Sequence, residues 1–526
     1  MNETPAVGST RVRTILTRNL WLQGLLVVLV CAAVYWPLLG RGGLAMSEGH
    51  RVIPGWEMLD SGDWLTPQMF GEAYVRKPPG MSWAVAVSSM AFGRTEWAAR
   101  AVSALAATLM ALVAWRVGTR WFGSPWGLAA GLAQALMPQM WESGRSAEIE
   151  ALDNLGTQVA ALAVLEIMMS APRARTSQRL ALGVVLAIGL IVMGLAKGPA
   201  GAPVIAGAMI SGVIVRRRGI VRPELWGGLA LGTLALVGVL YAVWRSVEAS
   251  GLGSPEGLHG THLWRPGHLL GVITLAPTAW VWALPASLAF LFVWGPDARR
   301  EVEGDEEGGE RLVRARALAY AWLVSLGIYT ALGISNARYA APAAALLPLG
   351  VAYVARGAWR AGAFTDRRRA IARAMLLGAA WSWVVVLTIG AWAYIATREA
   401  SVRATSGREA GLEMARVLAE GIESGQITTP TTLAADDAIE ARPEVLGYAR
   451  RELARAGHAG ELQMAWVVGN WEDLGPKPGG LTLIRLDAGS EEYHLIEQDE
   501  GAARLVELGR YEVHKYTFGL YLRTAP

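Results

Sequence analysis

Glu48, His50 and Arg51 stand close together near the amino-terminal end of a 526-residue chain. A carboxylate beside an imidazole and a guanidinium suits the removal of a proton from an acceptor hydroxyl. The plainer alternative is an ion pair between Glu48 and Arg51 that only shapes the backbone. Further along, Arg76 and Lys77 precede Pro78 and Pro79. Two prolines stiffen the segment and remove its local hydrogen bonds, so the two cations are held on an extended strut that suits a phosphate. Snorkelling to lipid headgroups would put them at the same depth. A third group follows in the string RSAEIEALDN, which carries Glu148, Glu150, Asp153 and Asn154 at the start of an apolar run. Helical spacing places Glu150, Asp153 and Asn154 on one face and turns Glu148 away. Carboxylates in a first helical turn are also ordinary dipole partners. Asp153 lies deeper, where a charge costs about 2.5 to 3.5 kcal/mol at the bilayer centre and less near its edge, and that cost argues for a role. Lys197, before Gly198 and Pro199, and Arg338 with Tyr339, before Pro342, end or begin apolar runs and serve either as anchors or as site cations. His262 is a candidate binding residue in a polar link. Its spacing from His259 and His268 is weak evidence for a metal; no cofactor is read, and a divalent cation is left open.

The elements that must position these residues are membrane helices. The chain is 53% hydrophobic and 17% charged, with 23 tryptophans, which places it among membrane proteins. Its net charge of +4 comes from arginines clustered between apolar runs, so it reports orientation in a bilayer and argues against nucleic acid as a partner. The one cysteine, Cys31, excludes a disulfide framework. Apolar runs occupy residues 21–39, 97–115, 126–141, 151–169, 180–196, 200–215, 225–244, 269–294, 317–334, 340–354 and 374–395. They predict an α-helical polytopic protein with about 11 to 13 spans. The first run is too long and lacks the small-residue cleavage site expected of a secretory signal. Assigning the arginine-bearing links to the cytoplasm satisfies the positive-inside rule. Residues 40–80, 143–153, 197–199, 245–265 and 335–342 then face the other side, as polar links of one site or as loops that must face somewhere. After about residue 396 the composition turns polar. Alternating runs at 463–468, 481–486 and 516–522 and a helix at 443–456 predict a small α/β extracytoplasmic domain over 397–526, behind a membrane region over 1–396.

The string EMLDSGDWLTPQMFGEAYVRKPPGMSW, residues 57–83, resembles a segment of the membrane-embedded GT-C glycosyltransferases that use polyprenyl-phosphate sugar donors. The likeness is to the group of the lipid A aminoarabinose transferase and the protein O-mannosyltransferases. In that group an Asp-Glu pair precedes a Glu-Met-Leu segment, followed by Gly-Asp-Trp, a Pro and Lys-Pro-Pro. Lys197-Gly198-Pro199 and the segment from Arg338-Tyr339 to Pro342 recur in the same order. Where the group has the Asp of its pair, thought to be catalytic, this chain has Ser47; Arg76 stands at an acidic position and His50 at an arginine position. The group's second acidic position falls on Glu150 or Asp153.

The resemblance implies an inverting glycosyltransferase of the inner membrane, with its amino terminus cytoplasmic. It would move a sugar from a polyprenyl-phosphate donor to a lipid, glycan or protein acceptor on the extracytoplasmic face. Glu48 is then the expected general base, with Asp153 or Glu150 positioning or sharing that role. Arg76 and Lys77 would hold the departing phosphate, helped by Lys197 and Arg338, with His50, Arg51, His262 and Tyr339 as further binding residues. The rival class is a non-catalytic polyprenyl-phosphate binder or flippase. Transporters tend to show internal repeats, and no repeat is visible in this sequence.

Overall fold

The structure is a computed structural model, and it describes residues 19–170, 175–252, 293, 306–334, 337–360, 384–404, 407–435, 439, 441–466, 480–486, 504–513 and 516–524. All of the run at 269–294 but Val293, much of that at 374–395, and His259, His262 and His268 lie outside the described residues. The chain forms two compact units: unit 1 comprises Met1–Pro37, Ser103–Val239 and Gly260–Tyr394, and unit 2 comprises Leu38–Val102, Leu240–His259 and Ile395–Pro526.

The helices that concern unit 1 are α1 (Leu20–Tyr35), α4 (Glu96–Phe122), α5 (Trp126–Ala135), α6 (Gln139–Ser143), α7 (Glu150–Met169), α8 (Thr176–Lys197), α9 (Ala202–Val215), α10 (Pro223–Ser250), α11 (Glu306–Ala331), α12 (Ala337–Ala344) and α13 (Leu347–Arg360). The first residues of α4 and the last of α10 belong to unit 2. Among the described residues six helical stretches are long and apolar enough to cross a membrane, and α1 is a shorter apolar helix. The protein is a multi-pass membrane protein.

One of the six stretches, Thr176–Val215, combines α8 and α9 in a single run of 40 residues. The packing separates them. Gly156 and Ala160 of α7 meet Met193 and Gly189 of α8, an antiparallel arrangement, whereas Thr157 and Met168 of α7 meet Gly201 and Gly212, the order of a parallel one. The chain therefore reverses between them, at Gly198, whose φ of +69° few other residues adopt. The apolar run at 126–141, expected as one span, is broken instead. α5 stops at Ala135 and only a short α6 follows Pro138, because proline lacks the donor and disfavours helix in the residue before it.

The two ends of unit 1 differ in chemistry. At one end Arg120 pairs with Glu166 at 2.8 Å, Arg179 with Glu224 at 2.7 Å, and Arg216 with Glu310. There Arg216 and Arg222 also donate to the carbonyls of Met169 and Ser170, at the carboxyl-terminal end of α7. The 20 residues of α7 span about 30 Å, the thickness of a bilayer's hydrocarbon, and its other end begins at Glu150.

Unit 2 opens with the irregular segment from Leu38, then α2 (Gly49–Ser61), the two-residue strands β1 (Gln68–Met69) and β2 (Glu72–Ala73), and α3 (Gly80–Phe92). α2 starts earlier than its amphipathic stretch at Trp56 suggests, and it packs closely on α3. A Cβ on Gly55 would lie 2.6 Å from the Ser82 carbonyl. Ser82 Oγ donates to the Arg51 carbonyl, and Trp56 Nε1 to Ser89 Oγ. The carboxyl-terminal part holds α14 (Arg408–Glu423), α15 (Pro443–Arg455) and five strands: β3 (Thr431–Ala435), β4 (Leu462–Trp466), β5 (Leu481–Arg485), β6 (Arg504–Val513) and β7 (Tyr516–Thr524). The sheet order is β4-β3-β5-β7-β6, parallel across β4, β3 and β5 and antiparallel from β5 to β6. Helix and strands share one core with residues of the early loop: Ile53, Met69, Phe70 and Tyr74 pack with Met414, Leu446 and Leu433.

Candidate active site

In unit 1 the polar end of α7 gathers three of the stretches singled out in the sequence. Glu150 Oε1 accepts from Lys197 Nζ at 3.1 Å and from Arg338 Nε at 2.8 Å. Arg338 also faces Glu148 at 3.4 Å. Glu148 therefore does not turn away from the group, as helical spacing suggested. The helix starts only at Glu150, so Glu148 is outside its periodicity. Lys197 sits 4.6 Å over the Tyr339 ring, a cation–π contact. The hairpin at Gly198 is what delivers Lys197 here, at the last turn of α8.

Asp153 lies one turn deeper and is 1% exposed. Among the described residues neither of its carboxylate oxygens has a hydrogen-bond partner, and the Thr157 hydroxyl and Asn154 Oδ1 lack one as well. The charges acting on it are those of Lys197 and Glu150. Nearly all buried polar groups are hydrogen-bonded, and an unsatisfied one costs roughly 1 to 3 kcal/mol or more when charged. These unengaged acceptors lie close to Glu150, which holds the two cations Lys197 and Arg338. Among the described residues no group of three or more His, Cys, Asp or Glu is placed to hold a metal ion.

Unit 2 holds the first two sequence candidates. Glu48 is 3% exposed and pairs with Arg100. Arg100 Nε and Nη2 donate to Glu48 Oε1 and Oε2 at 2.8 and 2.7 Å, and Glu48 Oε2 also accepts from the Ala45 N–H. Arg100 further donates to the carbonyls of Leu39, Arg41 and Gly43, and Arg403 to those of Leu38, Leu39 and Arg41. Two arginines thus template the backbone that carries Glu48. Arg51 Nη1 donates to Tyr74 Oη at 2.7 Å, and the His50 ring lies 6.1 Å from that of Tyr74. Arg76 and Lys77 are half-buried in the irregular segment before Pro79. Among the described residues Leu38, Met46 and Phe70 are the non-glycine residues with positive φ, and all three belong to this early segment. Such strain persists only where the surroundings over-determine the backbone.

Arg100, Glu444 and Tyr448 were not singled out from the sequence. For Arg100 a signal existed, a guanidinium inside an apolar run, which is expensive unless paired. Tyr448 accepts from the Leu44 N–H and donates to Glu96 Oε1, and burial together with Glu96 pushes its hydroxyl well up. Glu444 is fully buried and pairs with Arg442 at 2.8 Å. Burial raises its carboxyl to about 7, Arg442 opposes this, and the nearby Glu48 charge adds to it.

Residues 76–244 match the family model described as Dolichyl-phosphate-mannose-protein mannosyltransferase. Over 191 residues the chain is 29% identical to the undecaprenyl phosphate-alpha-4-amino-4-deoxy-L-arabinose arabinosyl transferase of Aeromonas salmonicida, which covers 36% of this chain and 34% of that protein. A namesake from Sodalis glossinidius is 36% identical over 104 residues, 19% of this chain and 18% of its own. The alignments thus span about a third or less of these relatives. Across nearly the whole molecule the likeness is one of fold. The crystal structure of ArnT from Cupriavidus metallidurans in the apo state superposes with a TM-score of 0.65 at 17% identity, over 95% of this chain and 97% of that one. The same protein bound to undecaprenyl phosphate gives 0.63, over 95% and 98%. The resemblance carried by residues 57–83 thus holds beyond them: the chain has the fold of the aminoarabinose transferase ArnT, and its segment 76–244 matches the mannosyltransferase family model.

Proposed function

We propose that the chain is an integral-membrane inverting glycosyltransferase that uses a polyprenyl-phosphate sugar, with the polar end of α7 on the extracytoplasmic side. The observation that carries this reading is Asp153, a buried carboxylate whose oxygens have no hydrogen-bond partner among the described residues, one helical turn from Glu150, which holds Lys197 and Arg338 at that end. The fold shared with ArnT and the family match over 76–244 support it. So does the gathering of the arginine-bearing links at the opposite end of unit 1, as expected of a cytoplasmic end.

In this mechanism an acceptor hydroxyl or amine gives its proton to Asp153 as its oxygen or nitrogen attacks the anomeric carbon. The bond from that carbon to the phosphate oxygen breaks on the opposite face, so configuration inverts and polyprenyl phosphate leaves with the bonding pair. Lys197 and Arg338 neutralise the charge that develops on the phosphate, the kind of stabilisation that fixed cations in a dry site supply best. Glu150 holds both cations in place. Glu48, held by Arg100 and the Ala45 N–H, acts in this scheme by fixing its loop, although the sequence had marked it as the base. Arg76 and Lys77 stand as phosphate ligands on the sequence argument alone. The acceptor is a lipid, glycan or protein.

The test is incubation of the purified protein with a radiolabelled undecaprenyl-phosphate sugar. Release of undecaprenyl phosphate with transfer of label supports the reading, and loss of that release in Asp153→Asn supports the base assignment. Binding without turnover identifies a carrier instead and overturns it.

A further inference from the structure

Unit 2 contains a cavity of about 310 Å³ between α2 and α15, floored by β4. Its polar lining is cationic: Arg94, Arg450 and Arg451 against Asp60. Two of these charges are matched within the protein, Arg94 by Asp60 at 2.6 Å and Arg450 by Glu57 at 2.8 Å. Arg451 is not. Its guanidinium lies 4.9 Å over the Trp56 ring, and its buried Nη1 has no hydrogen-bond partner among the described residues. Burial pulls this guanidinium down from its usual range; Glu96 opposes that, while Arg455 and Arg408 add to it. Trp56 is itself fixed by the bond from its Nε1 to Ser89, so the ring that seats Arg451 is held in advance of any ligand. The lining also includes His458, whose Nδ1 lies 3.0 Å from Glu461 Oε2, while Ile53, Leu462 and Met464 supply an apolar part of the wall.

We propose that this cavity binds a phosphate group on a small organic body, with Arg451 as its main contact and Arg94 at the rim. A guanidinium with a free edge presents parallel N–H donors that match phosphate oxygens, and stacking on an aromatic face leaves that edge available. With Arg94 matched by Asp60 and Arg450 by Glu57, the charge left over in the lining is that of Arg451, and a phosphate meets it with a negative charge spread over several acceptor oxygens. The volume is that of a small-ligand pocket, and the apolar wall accommodates the carbon skeleton. The phosphate comes from a soluble phosphomonoester or from a phospholipid headgroup. The inference does not rest on the glycosyltransferase reading.

The test uses the full-length protein in detergent. Calorimetric titration with glycerol 3-phosphate examines the soluble source, and native mass spectrometry with phosphatidylglycerol against phosphatidylcholine examines the lipid source. In whichever arm responds, Arg451→Gln weakens binding by roughly ten-fold or more, as expected for loss of a charge-assisted contact, with Arg451→Lys and Arg94→Gln losing less. A response in the first arm identifies a soluble phosphate, and one confined to phosphatidylglycerol identifies the headgroup. Absence of binding in both arms overturns the proposal, as does binding that Arg451→Gln leaves unchanged. Should Arg451→Gln not fold, unchanged binding in both Arg451→Lys and Arg94→Gln overturns it equally.

Discussion

Two buried carboxylates with opposite surroundings separate structure from chemistry at the level of single residues. Glu48 accepts from Arg100 through both oxygens and from the Ala45 N–H, and both members of the pair are almost wholly buried, with side-chain exposures of 4% and 0%. Removing one partner of such a pair leaves an uncompensated buried charge and costs roughly 3 to 5 kcal/mol. Glu48→Gln is therefore expected to lower the thermal unfolding temperature markedly, with any loss of transfer following the loss of folded protein. Asp153 presents the reverse case. Its oxygens have no hydrogen bond among the described residues, so Asp153→Asn removes a buried charge without breaking one. Unfolding temperature should hold or rise while transfer falls by about 10²- to 10⁴-fold, the usual weight of a general base. Unfolding scans and label transfer on the same two preparations decide the matter. The assignment is wrong if Glu48→Gln remains fully stable yet inactive while Asp153→Asn stays active.

At the level of elements, the site depends on how closely α7 and α8 approach and on where α8 ends. A Cβ at Gly156 would lie 2.4 Å from the Met193 backbone nitrogen, and backbone cannot yield as a side-chain tip can. Gly156→Ala should thus force the helices apart, at a cost of about 1 to 3 kcal/mol. Lys197 is one turn beyond Met193 and would move with it, so donor affinity should weaken even where the variant folds; a titration of undecaprenyl phosphate that matches wild type would contradict this. The same elements show what a reader of the sequence can and cannot reach. Glu150, Asp153, Lys197 and Arg338 are legible because each interrupts or ends an apolar run, where a charge needs a reason. The partner of Glu48 is less so: Arg100 interrupts an apolar run too, but only the fold brings it beside a residue 52 positions away. The broken run at 126–141 turns on Pro138, whose effect hydropathy does not register. The strand Thr431–Ala435 sits between two parallel neighbours and shows no alternation to betray it, whereas the strands at 462–466, 481–485 and 516–524 do fall on alternating runs. The sheet order is set by crossovers that no local pattern encodes.

On the scale of the molecule, the carboxyl-terminal α/β portion is not a separate bead, because unit 2 unites it with residues 38–102 around one core. Glu444 lies at that union. It opens α15, pairs with Arg442, and its Oε2 approaches the position a Cβ on Gly49 would take, at the start of α2. Burial holds its carboxyl at about 7 against an ordinary value of 4.5. An acid whose folded value is raised makes stability fall as pH rises. Below about 4.5 the group is protonated in both states and costs nothing. Between about 4.5 and 7 the unfolded chain releases the proton while the folded chain keeps it, and stability declines by roughly 3 kcal/mol over the interval. Above 7 the penalty is constant. Glu444→Gln removes the titration while keeping the shape, so its advantage over wild type should be absent near pH 4.5 and full at pH 8. Other carboxylates contribute their own slopes to each protein, but the difference between the two curves isolates this one. Tryptophan-fluorescence melts of both proteins across that range measure it, and a difference that does not grow with pH would mean that Glu444 is ionised in the folded protein throughout, held so by Arg442.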